Sequence, residues 1–230
     1  MPVYYLPDEP IFPPPYDAEP NGLLAVGGDL SSERLLAAYR EGIFPWFSQG
    51  DPYLWWSPNP RLILTPDRLH ISRSLRKTIR KGCFHTTIDC AFDAVIHQCA
   101  EVKRHHEAGT WITAEMREAY GALHRLGYAH SAECWVLEGD EAVLVGGMYG
   151  IALGSCFFGE SMFHHRTDAS KVAFVALVEQ LKKRHIGLID CQMKTDHLIR
   201  LGAWEIPREQ FLQRLRQNLT IEPPPGSWRT

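Results

Sequence analysis

Gly187-Leu188-Ile189-Asp190-Cys191-Gln192 is an apolar run that ends on an acid and an amide. Its first half, opened by a glycine, has the composition of a buried strand. Alternate residues of a strand face the same side. Asp190 and Gln192 are therefore expected to share a face, with Cys191 between them pointing the other way and packing. A carboxylate turned toward a core is costly unless it is paired or working, so the carboxyl end of this strand is a candidate site. The bland alternative is a carboxylate that caps a nearby turn.

Working outward, residues 169–183 repeat apolar residues at helical spacing, and the stripe Phe174, Leu177 and Leu181 reads by itself as core. Before it, 155–158 is extended, and Glu160 follows alone among apolar residues beside Gly159, an acid in want of a cation or a turn to cap. Residues 134–137 and 142–145 predict a hairpin turning at Gly139-Asp140. Upstream, Asp89 is expected to cap a helix carrying Phe92, Val95, Ile96 and Cys99, and Thr113 one carrying Met116, Tyr120 and Leu123 before Gly127. Downstream, a strand at 203–206 leads to a helix opened by Pro207 and carrying Phe211, Leu212, Leu215 and Leu219. Helix, helix, hairpin, strand, helix, strand, helix is an α+β (α/β-like) plan. The sheet is expected to be mixed, largely antiparallel and flanked by helices, with a ligand cleft where the 187–191 strand leaves its neighbour.

Residues 1–60 differ. Proline and aromatic clusters such as Phe12-Pro13-Pro14-Pro15-Tyr16 and Phe44-Pro45-Trp46-Phe47 exclude long helices and interior strands. One helix is credible, capped by Ser31 or Ser32, with Leu35, Leu36 and Tyr39 on one face and Gly42 past its end. The chain thus divides into a small irregular domain, 1–60, and a larger one, 61–230. Trp46, Trp55, Trp56 and Trp111 are expected in loops. Bulky rings can plug a domain poor in regular structure. Trp46, before the polar turn 48–51, and Trp111, before a helix start, are also placed to stack on a base.

The 230 residues carry 24 Lys and Arg against 27 Asp and Glu, a formal charge of −3. Against that background, Arg73, Arg76, Lys77, Arg80 and Lys81 fall on one face of a predicted helix between Ser72 and Gly82. Five cations without an anion repel one another at helical spacing, a cost of a few tenths of a kcal/mol per pair that a polyanion relieves. A local phosphate contact follows, on one arm or end of a folded RNA, since the whole protein is too acidic to coat a duplex. The solvated-face alternative stays open.

Six cysteines in no two-residue-gapped pair and eleven scattered histidines suggest neither a disulfide framework nor a metal site. His105-His106 and His164-His165 are adjacent pairs whose side chains diverge on any regular element. No run approaches the roughly 18 to 20 apolar residues of a membrane span, and Met1 to Asp8 lack the features of a signal peptide, so a cytoplasmic protein without membrane contact is expected.

With these motifs assembled, the chain resembles the bacterial leucyl/phenylalanyl-tRNA–protein transferase family, through blocks that include LHISRSLRK, GTWIT, AHSAECW, LVGGMYGIALG, FFGESMF, ASK, LIDCQ and HLIRLGAWEIPR. The resemblance implies transfer of Leu or Phe, and less readily Met, from charged tRNA to the α-amino group of proteins with N-terminal Arg or Lys, which marks them for degradation. It implies that 61–230 is an acyl-CoA N-acetyltransferase-like catalytic domain without CoA or any other cofactor, acting as a monomer. Residues 164–171 agree, since they contain no glycine where acetyltransferases have a glycine-rich pyrophosphate loop. By the same resemblance Trp46 and Trp111 hold the terminal adenosine. Met148, Phe157, Phe174, Leu177, Leu181 and Ile189 line the amino-acid pocket, and Glu160 lies near the aminoacyl group. Asp190 and Gln192 stand at the reacting centre, and Arg73, Lys77, Arg80 and Lys81 grip the tRNA backbone.

An aminoacyl ester is already reactive toward amines, so positioning supplies much of the rate and no serine or cysteine triad is required. Gln192, held by Asp190, is expected to accept a hydrogen bond from the incoming amine, while Asp190 helps absorb the charge developing on nitrogen and Glu160 pairs with the amino group of the transferred residue. Two other classes stay open. A small-molecule acetyltransferase would bind CoA tightly, and a non-catalytic RNA-binding module would bind charged and uncharged tRNA alike.

Overall fold

The computed structural model describes residues 3–102, 111–221 and 226–229. In chain order the elements are β1 (Tyr4–Leu6), β2 (Leu23–Gly27), α1 (Ser32–Arg40), β3 (Phe44–Pro45), β4 (Leu54–Trp56), β5 (Arg61–Leu64), α2 (Arg73–Arg80), β6 (His85–Ile88) and α3 (Phe92–Glu101). They continue with α4 (Ala114–Arg125), β7 (Ala129–Glu138), β8 (Glu141–Leu153), β9 (Cys156–His164), α5 (Ala169–Lys183), β10 (Leu188–Gln192), α6 (Asp196–Arg200), β11 (Trp204–Ile206) and α7 (Arg208–Leu219). His105, His106, and the Gly109-Thr110 pair before Trp111 lie outside the described residues.

Local chemistry sets the helix starts. Ser31, Ser72 and Thr113 each accept a hydrogen bond from a backbone N–H in the first turn of α1, α2 and α4. Asp89 does not cap α3, contrary to expectation. The residue before that helix is Ala91, which makes no side-chain cap. The Asp89 carboxylate instead accepts from the backbone N–H groups of Ser131 and Trp228 and meets His130 Nδ1 at 2.8 Å. A buried acid takes the richest set of donors within reach, and here these lie on β7 and near the carboxyl terminus.

Two sheets form, of order β1-β2-β4-β3 and β11-β5-β10-β9-β8-β7-β6. The larger is antiparallel throughout except for β9 and β10, which run parallel. The fold is mixed α and β, with strands longer than the sequence pattern indicates: the hairpin at Gly139-Asp140 joins ten residues of β7 to thirteen of β8. Buried polar residues such as Ser131 and Glu133 break the apolar alternation but are satisfied inside. Glu133 accepts from the Thr87 and Ser131 hydroxyls and from the backbone N–H groups of Cys90 and Ala91. Trp55 and Trp56 lie in strand β4 rather than in loops. Trp55 is fully buried, its indole N–H donating to the Gly27 carbonyl.

Alternation along β8 and β9 divides the core. Met148 and Phe157 join Phe174, Leu177 and Leu181 of α5 on one face. Tyr149, Ile151 and Phe158 join α3 and α4 on the other, in a cluster that continues through Tyr39 of α1 and Phe211 of α7 to Leu24 and Trp55 of the small sheet. At Gly146 of β8 a Cβ would stand 2.6 Å from the Ala169 Cβ, so only glycine lets the start of α5 approach the sheet this closely. That approach brings Ser170 to the edge of the site. No helix of the described residues is long and apolar enough to cross a membrane.

Candidate active site

The parallel pairing of β9 with β10 runs through Cys156–Leu188, Phe157–Ile189 and Phe158–Asp190. At the next two positions of each strand, Gly159 and Glu160 on one side and Cys191 and Gln192 on the other line a cavity of about 640 Å³. Both α5, through Ser170 and Phe174, and the segment after β10 contribute to its wall.

Glu160 is the polar centre. Its Oε1 accepts from the Tyr39 hydroxyl at 2.7 Å and from Gln192 Nε2 at 3.1 Å, and its Oε2 is hydrogen-bonded with the Tyr120 hydroxyl at 3.0 Å. Burial raises its carboxyl to a pKa of about 7, against the lowering effect of the two tyrosine hydrogen bonds. Both tyrosines are buried, and burial followed by the negative charge of Glu160 pushes their hydroxyls well above the usual range. Tyr39 and Tyr120 occupy positions that read as ordinary core on helical periodicity. The signal available in the sequence was a phenol on an apolar face, whose hydroxyl needs a buried partner.

Asp190 stands elsewhere than expected. It is fully buried, and its carboxylate receives Arg61 Nε on Oδ1 at 2.8 Å and Arg61 Nη2 on Oδ2 at 2.7 Å. Arg61 is itself buried, with its guanidinium over the rings of Phe44 and Phe211 at 4.9 and 4.6 Å. Asp190 Oδ1 also accepts the backbone N–H of Gln192 at 2.9 Å. The expectation that Asp190 and Gln192 share a face rests on a regular strand, and β10 is irregular between them. Gln192 takes φ = 60°, a left-handed conformation costing about 1–3 kcal/mol for a residue with a Cβ, which the Asp190 bond helps to hold. Asp190 is therefore behind the cavity lining rather than on it. Its grip is on the Gln192 backbone, while the Gln192 side chain is oriented by Glu160. With Nε2 donating to Glu160, Gln192 Oε1 makes no hydrogen bond to the described residues. Cys191 borders the cavity and packs, as expected, in the buried cluster that holds Met148 and Phe174, and burial raises its thiol far out of the nucleophilic range.

Of the six apolar residues expected to form the pocket, Met148 and Phe174 line the cavity. Phe157, Leu177, Leu181 and Ile189 are buried one layer behind, packed in the same cluster. Helical and strand spacing identifies the cluster but not which members border empty space. The apolar wall also takes Met162, Phe163 and Leu198, which the sequence did not single out. Trp46 and Trp111 both border the cavity as well. The Trp46 carbonyl accepts the Trp56 indole N–H, and the two rings meet edge to face at 5.7 Å, which fixes the Trp46 backbone.

Arg73, Lys77, Arg80 and Lys81 surround a depression of about 400 Å³ on α2, all exposed and without an ion pair among the described residues. Thr78 of α2 donates to Asp168 at the start of α5, which joins this surface to the helix that walls the cavity.

Residues 63–216 match the family model described as leucyl/phenylalanyl-tRNA protein transferase, and residues 28–59 match the model of its N-terminal domain. A leucyl/phenylalanyl-tRNA--protein transferase of Anaeromyxobacter dehalogenans (strain 2CP-C) is 57% identical over 229 residues, covering 100% of this chain and 97% of its own. One of Magnetococcus marinus (strain ATCC BAA-1437 / JCM 17883 / MC-1) is 53% identical over 232 residues, covering 100% and 98%. Among solved structures, L-PGS from Bacillus licheniformis superimposes with a TM-score of 0.44 at 12% identity over 75% of this chain and 53% of that one, a likeness too slight to build on.

Proposed function

The chain belongs to the leucyl/phenylalanyl-tRNA–protein transferase family and is an aminoacyltransferase, and from that premise we propose that the cavity at the β9–β10 divergence is where Leu or Phe, and Met less readily, passes from tRNA to the α-amino group of a protein beginning with Arg or Lys. The transfer marks the acceptor for degradation. The observation that carries this reading is the meeting, in one cavity, of Trp46 and Trp111, the apolar Met148 and Phe174, and the hydrogen-bonded pair Glu160 and Gln192.

In this reading the tryptophans stack on the terminal adenosine, a contact worth about 1–3 kcal/mol per base. Met148 and Phe174 touch the side chain being transferred, and the buried layer of Phe157, Leu177, Leu181 and Ile189 limits how far they yield. Glu160 receives the amino group of the aminoacyl residue. Gln192 Oε1, with its amide fixed by Glu160, accepts an N–H of the attacking amine and aims the nitrogen lone pair at the ester carbonyl. The tetrahedral intermediate then expels the tRNA hydroxyl oxygen, and the proton lost by nitrogen balances the one gained by that oxygen. Asp190, neutralised by Arg61, acts only through the Gln192 backbone.

The cluster Arg73, Lys77, Arg80 and Lys81 holds the tRNA backbone, which its unpaired charge supports. The larger domain, 61–230, is acyl-CoA N-acetyltransferase-like and 1–60 a smaller one; the absence of glycine between His164 and Lys171 supports the reading that it uses no CoA. The enzyme acts in the cytoplasm as a monomer. Radiolabelled Leu-tRNA mixed with a protein beginning in Arg tests the reading. Label is expected in acid-insoluble product, and equal labelling of a protein beginning in an uncharged residue would overturn the acceptor assignment.

A further inference from the structure

The contacts around Glu160 need more protons than an ionised carboxylate and two tyrosines possess. Tyr39 and Tyr120 each reach one carboxylate oxygen, and their hydroxyls also lie 2.5 Å from each other. A hydroxyl carries one proton and an ionised carboxylate none, so two protons serve three contacts. One proton on the carboxyl completes the set. Gln192 Nε2 donates to Oε1, which makes Oε1 the accepting oxygen and leaves the proton to Oε2. The direction is then fixed: Oε2–H donates to Tyr120, Tyr120 to Tyr39, and Tyr39 back to Oε1. The charged groups acting from neighbouring elements oppose each other, Asp190 of β10 favouring the neutral carboxyl and Arg61 of β5 the ionised one, and burial outweighs both in favour of the neutral form.

We propose that Tyr39, Tyr120 and Glu160 form a closed ring that stores one proton in the empty cavity and opens when the α-amino group of the aminoacyl residue enters, leaving an ammonium–carboxylate pair. The inference rests on the proposed function for the identity of the incoming amine. If the amine arrives neutral, the proton moves from Oε2 to its nitrogen and none is exchanged with water. If it arrives as ammonium, the stored proton leaves to solvent, one per ligand bound. In either case the bound state has an ionised carboxylate with each tyrosine donating to one oxygen, and the tyrosines keep their own protons.

The test uses the full chain labelled with ¹³C at the glutamate side-chain carboxyls and followed by NMR. One carboxyl is expected to titrate near neutral pH, to be absent in Glu160→Gln, and to titrate higher in Tyr120→Phe, which removes a donor to the ionised form without admitting charge. Tyr39→Phe serves the same purpose if the first variant does not fold. With a non-hydrolysable phenylalanyl-adenosine amide bound, below that midpoint, the same signal is expected at its ionised position. A Glu160 that titrates with the ordinary glutamates, or a midpoint unmoved by either tyrosine variant, overturns the ring. A carboxyl still protonated with the amide bound overturns its opening. Leucine transfer by the same preparation is scored separately: ordinary titration in an active enzyme strikes the ring alone, whereas loss of transfer strikes the reading beneath it.

Discussion

At Glu160, burial and hydrogen bonding act against each other, and burial prevails. The carboxyl keeps its proton to about pH 7 in the folded chain but loses it near pH 4.5 when unfolded. Between those values the folded protein binds more protons than the unfolded one, so stability is expected to fall as pH rises through this window. Glu160→Gln keeps the shape without the charge. Its unfolding free energy in urea is expected to match the parent's near pH 4.5 and to exceed it above pH 7 by roughly 1–3 kcal/mol; equal stabilities throughout would mean an ordinary carboxylate. Asp190 has the opposite character. Asp190→Ala would leave the buried Arg61 guanidinium without its counter-ion, and a loss of about 3–5 kcal/mol in denaturant unfolding is expected. A near-neutral effect would show that water or another acid takes over the pairing. The sequence marked Asp190 and Glu160 as acids out of place, but not Arg61, which lies 129 residues from Asp190 and stands beside Pro60 with nothing local to mark it. A partner that remote is set by sheet order, which residue spacing does not encode.

Elements give the same lesson in another form. The cap at Thr113, one of the two serines offered at 31 and 32, and the apolar faces of α1, α4 and α7 were legible because each is decided within a few residues. The irregularity in β10 was not, because a period-two pattern read over five residues is satisfied equally well with or without a bulge, and the bulge is what puts Cys191 and Gln192 on the cavity together. The parting of β9 and β10 was visible as a change from apolar to polar at corresponding places in two strands. The short segment 226–229 carried no periodic signal at all, yet Trp228 is buried, its ring stacked on His130 at 3.7 Å with the Arg184 guanidinium 4.7 Å from the ring centroid, and packed near Phe157. Trp228→Ala is expected to cost about 3–5 kcal/mol in a chemical melt. A loss under about 1 kcal/mol would mean that the segment is dispensable to the α5 face of the sheet.

For the whole molecule, charge and cavity work at different ranges. A net charge of −3 repels nucleic acid at a distance, so under the proposed function productive contact would depend on the few cations of α2, which the Thr78–Asp168 hydrogen bond joins to the helix that walls the cavity. Under the proposed function, one phosphate for each of Arg73, Lys77, Arg80 and Lys81 would make the logarithm of tRNA affinity fall with the logarithm of salt at a slope of about −3 to −4. Replacing Lys77 or Arg80 by Ala should reduce that slope by about one without changing the melting temperature, and an unchanged slope would place the tRNA elsewhere. The most direct test of the cavity itself is single-turnover transfer from Leu-tRNA by Gln192→Ala at saturating tRNA. Charged tRNA should bind as in the parent while the rate of peptide-bond formation falls about 100-fold or more. Transfer at the parental rate would contradict the assignment of the reacting centre to the lips of β9 and β10.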